Sequence, residues 1–227
     1  MSQAADGGGS LDRVGLLPLL YPIVDAALLR SAGLPLAAFA RELRSAGVRL
    51  LQYRDKTASD DEVLAAALLL RGIFPRGEAT LILNDRVHLC AAAEFDGVHL
   101  GQDDMPVERA RALLGEERLL GVSTHNAWQV RFADAGPADY VAIGPVYATG
   151  SKENPDPVVG LAGVVRARTL TAKPLVAIGG ITRETMRAVL DAGADAVAMI
   201  SALLPGGGRS ESRSTAEVVQ DILVNFR

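Results

Sequence analysis

Short, almost continuously apolar runs alternate with longer segments of helical spacing along nearly the whole chain. Runs such as LILN and LVAIGG lack polar alternation, the pattern of strands covered on both faces. Eight such runs predict strands over 19–25, 49–55, 80–85, 97–101, 119–124, 140–147, 175–179 and 196–201. The intervening segments predict helices over 34–46, 59–74, 86–93, 107–114, 127–135, 161–170, 183–192 and 215–226. Ser59, Asp60, Asp61 and Glu62 form an N-terminal capping pattern, and Gly47, Gly115, Gly136 and Gly193 stand where helices should stop.

Strands alternating with helices imply parallel strands joined by right-handed crossovers. Eight units of about 28 residues suit a compact α/β chain folded as a single (β/α)8 TIM barrel. An open doubly wound sheet is the alternative, weakened because no Gly-x-Gly-x-x-Gly follows the first strand. Residues 1–14 read as a flexible Gly-rich arm and 15–227 as the barrel domain, with PGGGRSESRS (205–214) as its last βα loop. The first thirteen residues lack the basic start and apolar stretch of a secretory signal. The apolar run 16–24 carries two prolines and is too short for about 30 Å of hydrocarbon, so the expected location is the cytoplasm.

Composition narrows the function. Residues AVILMFWYC make up 49% and aromatics only 4%, so the core is built from Ala, Leu, Val and Ile, and the low aromatic content argues against stacking platforms for single-stranded nucleic acid. A net charge of −4 favours neither nucleic acid nor an anionic membrane as partner. Cys90, the one cysteine, excludes an internal disulfide framework and a multi-cysteine metal site.

Polar residues collect where the strands end: Asp25; Gln52, Arg54 and Lys56; Asn84 and Asp85; Gln102, Asp103 and Asp104; Ser123 and His125; Thr149, Ser151 and Lys152; Gly179 and Gly180; Ser201. In a barrel these ends meet on one rim, where the active sites of this fold lie. Strand parity puts Leu51 and Tyr53 towards helices and Gln52, Arg54 and Lys56 towards the barrel mouth. Two inward cations need either an anionic ligand or a salt-bridge cluster with rim carboxylates. Only three lysines occur, and two of them, Lys56 and Lys152, fall on the rim. Asp85 and Asp104 end neighbouring strands and can share one small ion; each alone can equally be a helix cap, and calcium or no ion stays open. Taken with the cations, they favour Mg²⁺ and a diphosphate. The glycines of AIGGIT and the small loop after VAMIS suit a phosphate held by backbone N–H groups.

Other residues have plainer readings. His88 reads as a surface or core residue, His99 as a packed, hydrogen-bonded histidine, Cys90 as a small buried apolar residue and Trp128 as a packing residue, whereas His125 divides between ligand contact and loop structure. The apolar Val218, Ile222 and Phe226 belong to a closing helix, part of which can meet a partner subunit in a homo-oligomer.

The ordered motifs LQYRDK, ILNDRV, DGVHLGQDD, LGVSTH, DYVAIGPVYATGSK, AIGGIT and VAMISAL make the chain, from about residue 21 to 204, resemble the thiamine-phosphate synthases. The resemblance implies a (β/α)8 barrel that joins an aminomethylpyrimidine diphosphate to a thiazole phosphate carboxylate. The products are thiamine phosphate, diphosphate and CO₂, and the metal is Mg²⁺. It assigns pyrimidine-diphosphate contacts to Gln52, Tyr53, Arg54, Asp55, Lys56, Asn84, Ser123 and Lys152, and Mg²⁺ to Asp85 and Asp104. Thiazole-phosphate contacts fall on Thr149, Gly150, Ser151, Gly180, Ile200 and Ser201.

Three positions depart from the family pattern: Asp55 where Glu is common, Ser151 where Thr is common, and Ala196 where Gly is frequent. The shorter Asp55 weakens a side-chain role there, whereas Ser151 keeps its hydroxyl. The implied chemistry is a dissociative alkyl transfer helped by Mg²⁺, with Arg54, Lys56, Lys152 and Ser123 as the catalytic set and no protein nucleophile. Three other activities compete. A thiazole tautomerase-like relative needs no metal or diphosphate apparatus, and a non-catalytic thiamine-phosphate sensor binds without turnover. A sugar-phosphate isomerase needs a rim base, for which only His125 offers itself.

Overall fold

The computed structural model describes residues 17–150, 156–205 and 213–226. Eight parallel strands follow one another: β1 (Leu20–Asp25), β2 (Leu50–Arg54), β3 (Thr80–Asn84), β4 (Gly97–Leu100), β5 (Leu119–Thr124), β6 (Tyr140–Ile143), β7 (Leu175–Ile178) and β8 (Ala196–Met199). They pair in sequence order, and β8 closes onto β1 through Leu20↔Val197 and Pro22↔Met199. The closed ring is the expected TIM barrel and removes the open-sheet alternative.

Period-two alternation divides the strand residues between two apolar layers. Leu51, Tyr53, Leu81 and Leu83 pack outwards under the helices, while Leu50, Ile82, Tyr140, Val176, Ala196 and Ala198 fill the barrel. The helices are α1 (Ala26–Ser31), α2 (Leu36–Ser45), α3 (Asp60–Ile73), α4 (Val107–Leu114), α5 (Ala127–Ala135), α6 (Gly160–Arg168), α7 (Arg183–Asp191) and α8 (Thr215–Asn225). Ser59 caps α3 in a reciprocal box with Glu62, as its sequence pattern predicts.

Four local expectations need correction. The helix expected over 86–93 is only a 3-10 turn, Val87–Leu89, because left-handed Asp85 (φ 61°) and Glu94 (φ 57°) bracket the segment. Helix α1, only six residues capped by Asp25, is too short to register as helical periodicity. Strand β6 stops at Ile143 rather than 147 because Pro145 has no N–H for the ladder, although Val146 and Tyr147 still donate to Ile178 and Gly179. Trp128 does not pack inwards; it is 70% exposed and stacks on Phe132 along α5. Cys90 is buried, and His88 is exposed beside Asp60.

The face opposite the polar rim carries a threefold repeat. Asp96, Asp139 and Asp195 immediately precede β4, β6 and β8. Each accepts a backbone N–H at the start of the preceding strand, from its first or second residue: Leu81 (2.8 Å), Leu120 (2.7 Å) and Leu175 (2.7 Å). Each also pairs with a helix arginine, Arg71, Arg111 or Arg168. These pairs tie helix to sheet where the fold is concerned with stability, leaving the opposite rim for chemistry. Among the described residues no helix is long and apolar enough to cross a membrane. The 1–14 arm and most of 205–214 lie outside the described residues.

Candidate active site

The strand ends open into a cavity of about 180 Å³. Of the residues singled out from sequence, Gln52, Arg54, Asn84, Ser123, Thr149, Gly180, Ile200 and Ser201 line it together. Lys56, Asp85 and Asp104 form an ion-paired group after β2, β3 and β4. Tyr53 and Asp55 do not join them. Tyr53 is buried in the outer layer, and Asp55 accepts hydrogen bonds from Arg30 (2.7 Å) and the Thr57 N–H (3.1 Å). Their parity turns both side chains towards the helices, so side-chain contacts with a ligand in the mouth are ruled out for them. Gly150 is exposed and does not line the cavity, and Ser151 and Lys152 lie outside the described residues.

Both inward cations have carboxylate partners. Arg54 pairs with Asp25, which also caps α1 through the Leu28 N–H at 3.0 Å. Lys56 pairs with Asp85 and stands 3.7 Å from Asp104. Burial, and then the neighbouring Asp104, push the Asp85 carboxyl up to about 6. Burial also opposes ionisation of Asp104, but the hydrogen bond with Asp85, the Gly101 N–H at 2.7 Å and Lys56 outweigh it and hold that carboxyl below its usual range.

This group therefore carries three carboxylates against two cations. Of the two outcomes open for the inward cations, the described residues realise the salt-bridge cluster with rim carboxylates. Among the described residues no cluster of three or more metal-ligating side chains occurs. Two converging oxygen donors, one with its carboxyl pushed up to about 6 by burial and by the other, nevertheless match the donor set of Mg²⁺, which takes one or two carboxylates and completes its shell with water and phosphate.

Beneath the mouth runs a chain of hydrogen bonds that the sequence did not reveal. Gln52 Nε2 donates to the Tyr21 hydroxyl (3.1 Å), which lies 2.9 Å from the Tyr140 hydroxyl. The Tyr140 hydroxyl lies 3.0 Å from His99 Nδ1, and His99 Nε2 lies 2.8 Å from Ser123 Oγ. His99 also stacks on the Tyr140 ring at 5.6 Å. Room for that ring comes from Gly121, where a Cβ would stand 2.0 Å from Tyr140 Cζ. The one available signal was parity: Tyr21 shares the inward face of β1 with Ile23.

On the far side, His125 Nδ1 meets the Gly144 carbonyl at 2.6 Å and Nε2 faces Asp156 at 3.3 Å. Gly179 (φ 101°) and Gly180 (φ 61°) turn the chain from β7 towards α7. A Cβ on Gly180 would lie 2.4 Å from the Ala148 carbonyl, so both its backbone angle and its neighbour require glycine.

The family model described as thiamine monophosphate synthase matches residues 20–203. A thiamine-phosphate synthase of Koribacter versatilis is 54% identical over 190 residues, covering 83% of this chain and 90% of the relative. One from Synechococcus sp. (strain CC9311) is 45% identical over 170 residues, covering 75% of this chain but 48% of that longer relative. The solved structure of a thiamine phosphate pyrophosphorylase from Pyrococcus furiosus superposes with a TM-score of 0.75 at 29% identity, covering 91% and 96% of the two chains.

Proposed function

The chain belongs to the thiamine monophosphate synthase family and has its transferase activity, and from that premise we propose how its rim carries the reaction. The substrates are an aminomethylpyrimidine diphosphate and a thiazole phosphate. The C–O bond to diphosphate breaks, the thiazole nitrogen bonds to the methylene carbon, and loss of CO₂ from the carboxylated thiazole gives thiamine phosphate. Supporting this reading, one cavity gathers Gln52, Arg54, Asn84 and Ser123 from one half of the barrel and Thr149, Gly180, Ile200 and Ser201 from the other.

Diphosphate leaves readily only when its growing charge is met. Asp85 and Asp104 are the residues that would hold Mg²⁺, which when bound supplies charge neutralisation at the leaving group. Lys56 and Arg54 would add their charge to the phosphate oxygens, Lys56 from beside Asp85 and Arg54 while still paired with Asp25. Lys152 is assigned to that anion on the family resemblance alone. Asn84, Gln52 and Ser123 orient the ring, so that the methylene cation faces the thiazole. The thiazole phosphate is assigned to the Gly180 turn before α7 and to Ile200 and Ser201 at the start of the 3-10 turn Ser201–Leu203, all of which line the cavity. No side chain forms a bond to substrate; the barrel positions two reactants and balances charge.

The carrying observation is the carboxylate excess around Lys56, which a diphosphate tolerates only with a cation present. Purified protein given both substrates should form thiamine phosphate, measured as fluorescent thiochrome, and lose the activity in EDTA with recovery on adding Mg²⁺. Equal turnover in EDTA contradicts the metal assignment, and absence of product contradicts the transfer itself.

A further inference from the structure

We propose that Tyr21, Tyr140 and His99 are specificity-determining positioning residues: they polarise one hydrogen-bond chain so that its two ends read a 4-aminopyrimidine and reject the 4-oxo analogue. The proposal rests on the reading above that a pyrimidine occupies this cavity. The chain runs Gln52–Tyr21–Tyr140–His99–Ser123; Gln52, His99 and Ser123 share the cavity wall with Arg54 and Asn84, and the two tyrosines lie behind it.

Each inner member has one proton to give along the chain, so the direction chosen at one end propagates to the other. Gln52 donates its amide N–H to Tyr21. The Tyr21 hydroxyl then donates to Tyr140, and Tyr140 donates to His99 Nδ1. His99 is therefore the neutral tautomer with its proton on Nε2, and it donates to Ser123 Oγ. Ser123 has accepted one bond and keeps its own hydrogen for a ligand. Gln52, with one amide N–H given to Tyr21 and its amide plane thereby fixed, keeps its carbonyl oxygen for the ligand. The floor of the cavity thus offers one acceptor and one donor.

Reversed throughout, the same chain would offer the opposite pair. The observed direction is set at Gln52, whose amide nitrogen rather than its oxygen lies against the Tyr21 hydroxyl, at 3.1 Å. A 4-aminopyrimidine presents an N–H donor beside an unprotonated ring-nitrogen acceptor, which meets Gln52 Oε1 and the Ser123 hydroxyl. The 4-oxo compound presents a carbonyl beside a ring N–H and meets like with like at both ends.

Two measurements test this. The first is ¹⁵N NMR of the full-length protein labelled in its three histidines, with His99 assigned through His99→Gln. It should show the His99 proton on Nε2; a proton on Nδ1 overturns the proposal whatever the enzyme makes. The second is calorimetric titration with each pyrimidine diphosphate in the absence of thiazole, so that no turnover intervenes. The parent should bind the amino compound at least about thirtyfold more tightly than the oxo compound. Tyr140→Phe, which cuts the chain at its centre, should narrow that ratio to about threefold or less. An unchanged ratio in a folded Tyr140→Phe protein overturns the proposal. Should that variant fail to fold, Tyr21→Phe cuts the same chain one link away and carries the same expectation. A protein with the Nε2 proton that binds neither pyrimidine overturns the substrate reading along with this proposal. A protein that makes thiamine phosphate with the Nδ1 proton overturns this proposal alone.

Discussion

Lys56 ion-pairs with Asp85 and lies 3.7 Å from Asp104, so the one rim lysine among the described residues stands on the ground a divalent cation would take. Removing it should therefore have two opposite effects. Lys56→Met should bind Mg²⁺ more tightly, because no ammonium competes for the carboxylates. It should also lower kcat/KM by about thirtyfold or more, since a charge contact to diphosphate worth about 2 kcal/mol is lost. Metal titration by calorimetry and the thiochrome assay read the two effects separately. Weaker Mg²⁺ binding in Lys56→Met would contradict the competition.

Asp104→Ala should cost at least about thirtyfold in turnover, because the carboxylate would be lost to the metal and its bond from the Gly101 N–H to the loop with it. Raising Mg²⁺ in the assay should recover part of this loss. Activity within threefold of the parent at ordinary Mg²⁺ would remove Asp104 from the assigned role.

Barrel topology and most of the rim were legible because they depend on spacing along single strands. The parity of Gln52 and Arg54 in LQYRDK is a local property, and their shared cavity follows from closure of the ring. The floor chain was not legible, because Tyr21 and Tyr140 are 119 residues apart and meet only through the register of a closed barrel. Pairing of Arg54 with Asp25 depends likewise on the Asp25↔Arg54 register between β1 and β2. The Arg–Asp repeat was written in the chain as FDGV, ADYV and ADAV, but an aspartate before a strand reads as a turn former until its arginine partner is seen. Asp85 misled for another reason. Its left-handed backbone, which a non-glycine residue adopts uncommonly, ended the expected helix before it could start.

Arg111 is buried and gives its guanidinium to Asp139 and to the carbonyls of Gly115, Arg118 and Pro137. Arg111→Ala should lower unfolding free energy by about 3–5 kcal/mol, since Asp139 and three carbonyls lose their partner. The rim is on the opposite face, so the folded variant should keep its kcat. Urea unfolding followed by circular dichroism checks the first expectation and the thiochrome assay the second; a loss of less than about 1 kcal/mol would show that water replaces the arginine.

Arg30 is the main cause holding the Asp55 carboxyl at about 2 rather than the usual 3.8, with the Thr57 and Ala58 N–H groups helping against burial. A carboxyl lowered on folding contributes stability that is complete above its unfolded value and disappears as pH falls through its folded value. The parent should lose stability through this group between about pH 4 and pH 2. Asp55→Asn should be less stable at pH 7 and show a shallower decline over that window. Urea midpoints of both proteins across pH 2–7 make the comparison, and parallel curves would contradict it.

The account turns most directly on whether the rim needs a divalent cation before it accepts a diphosphate. Calorimetric titration of the parent with inorganic pyrophosphate, with Mg²⁺ and then with EDTA, addresses this without any organic substrate. Tight binding is predicted with Mg²⁺, together with loss of that binding in EDTA and in the Asp85→Asn, Asp104→Asn double variant. Pyrophosphate binding of equal strength in EDTA, or an undiminished Mg²⁺ effect in the double variant, would contradict it.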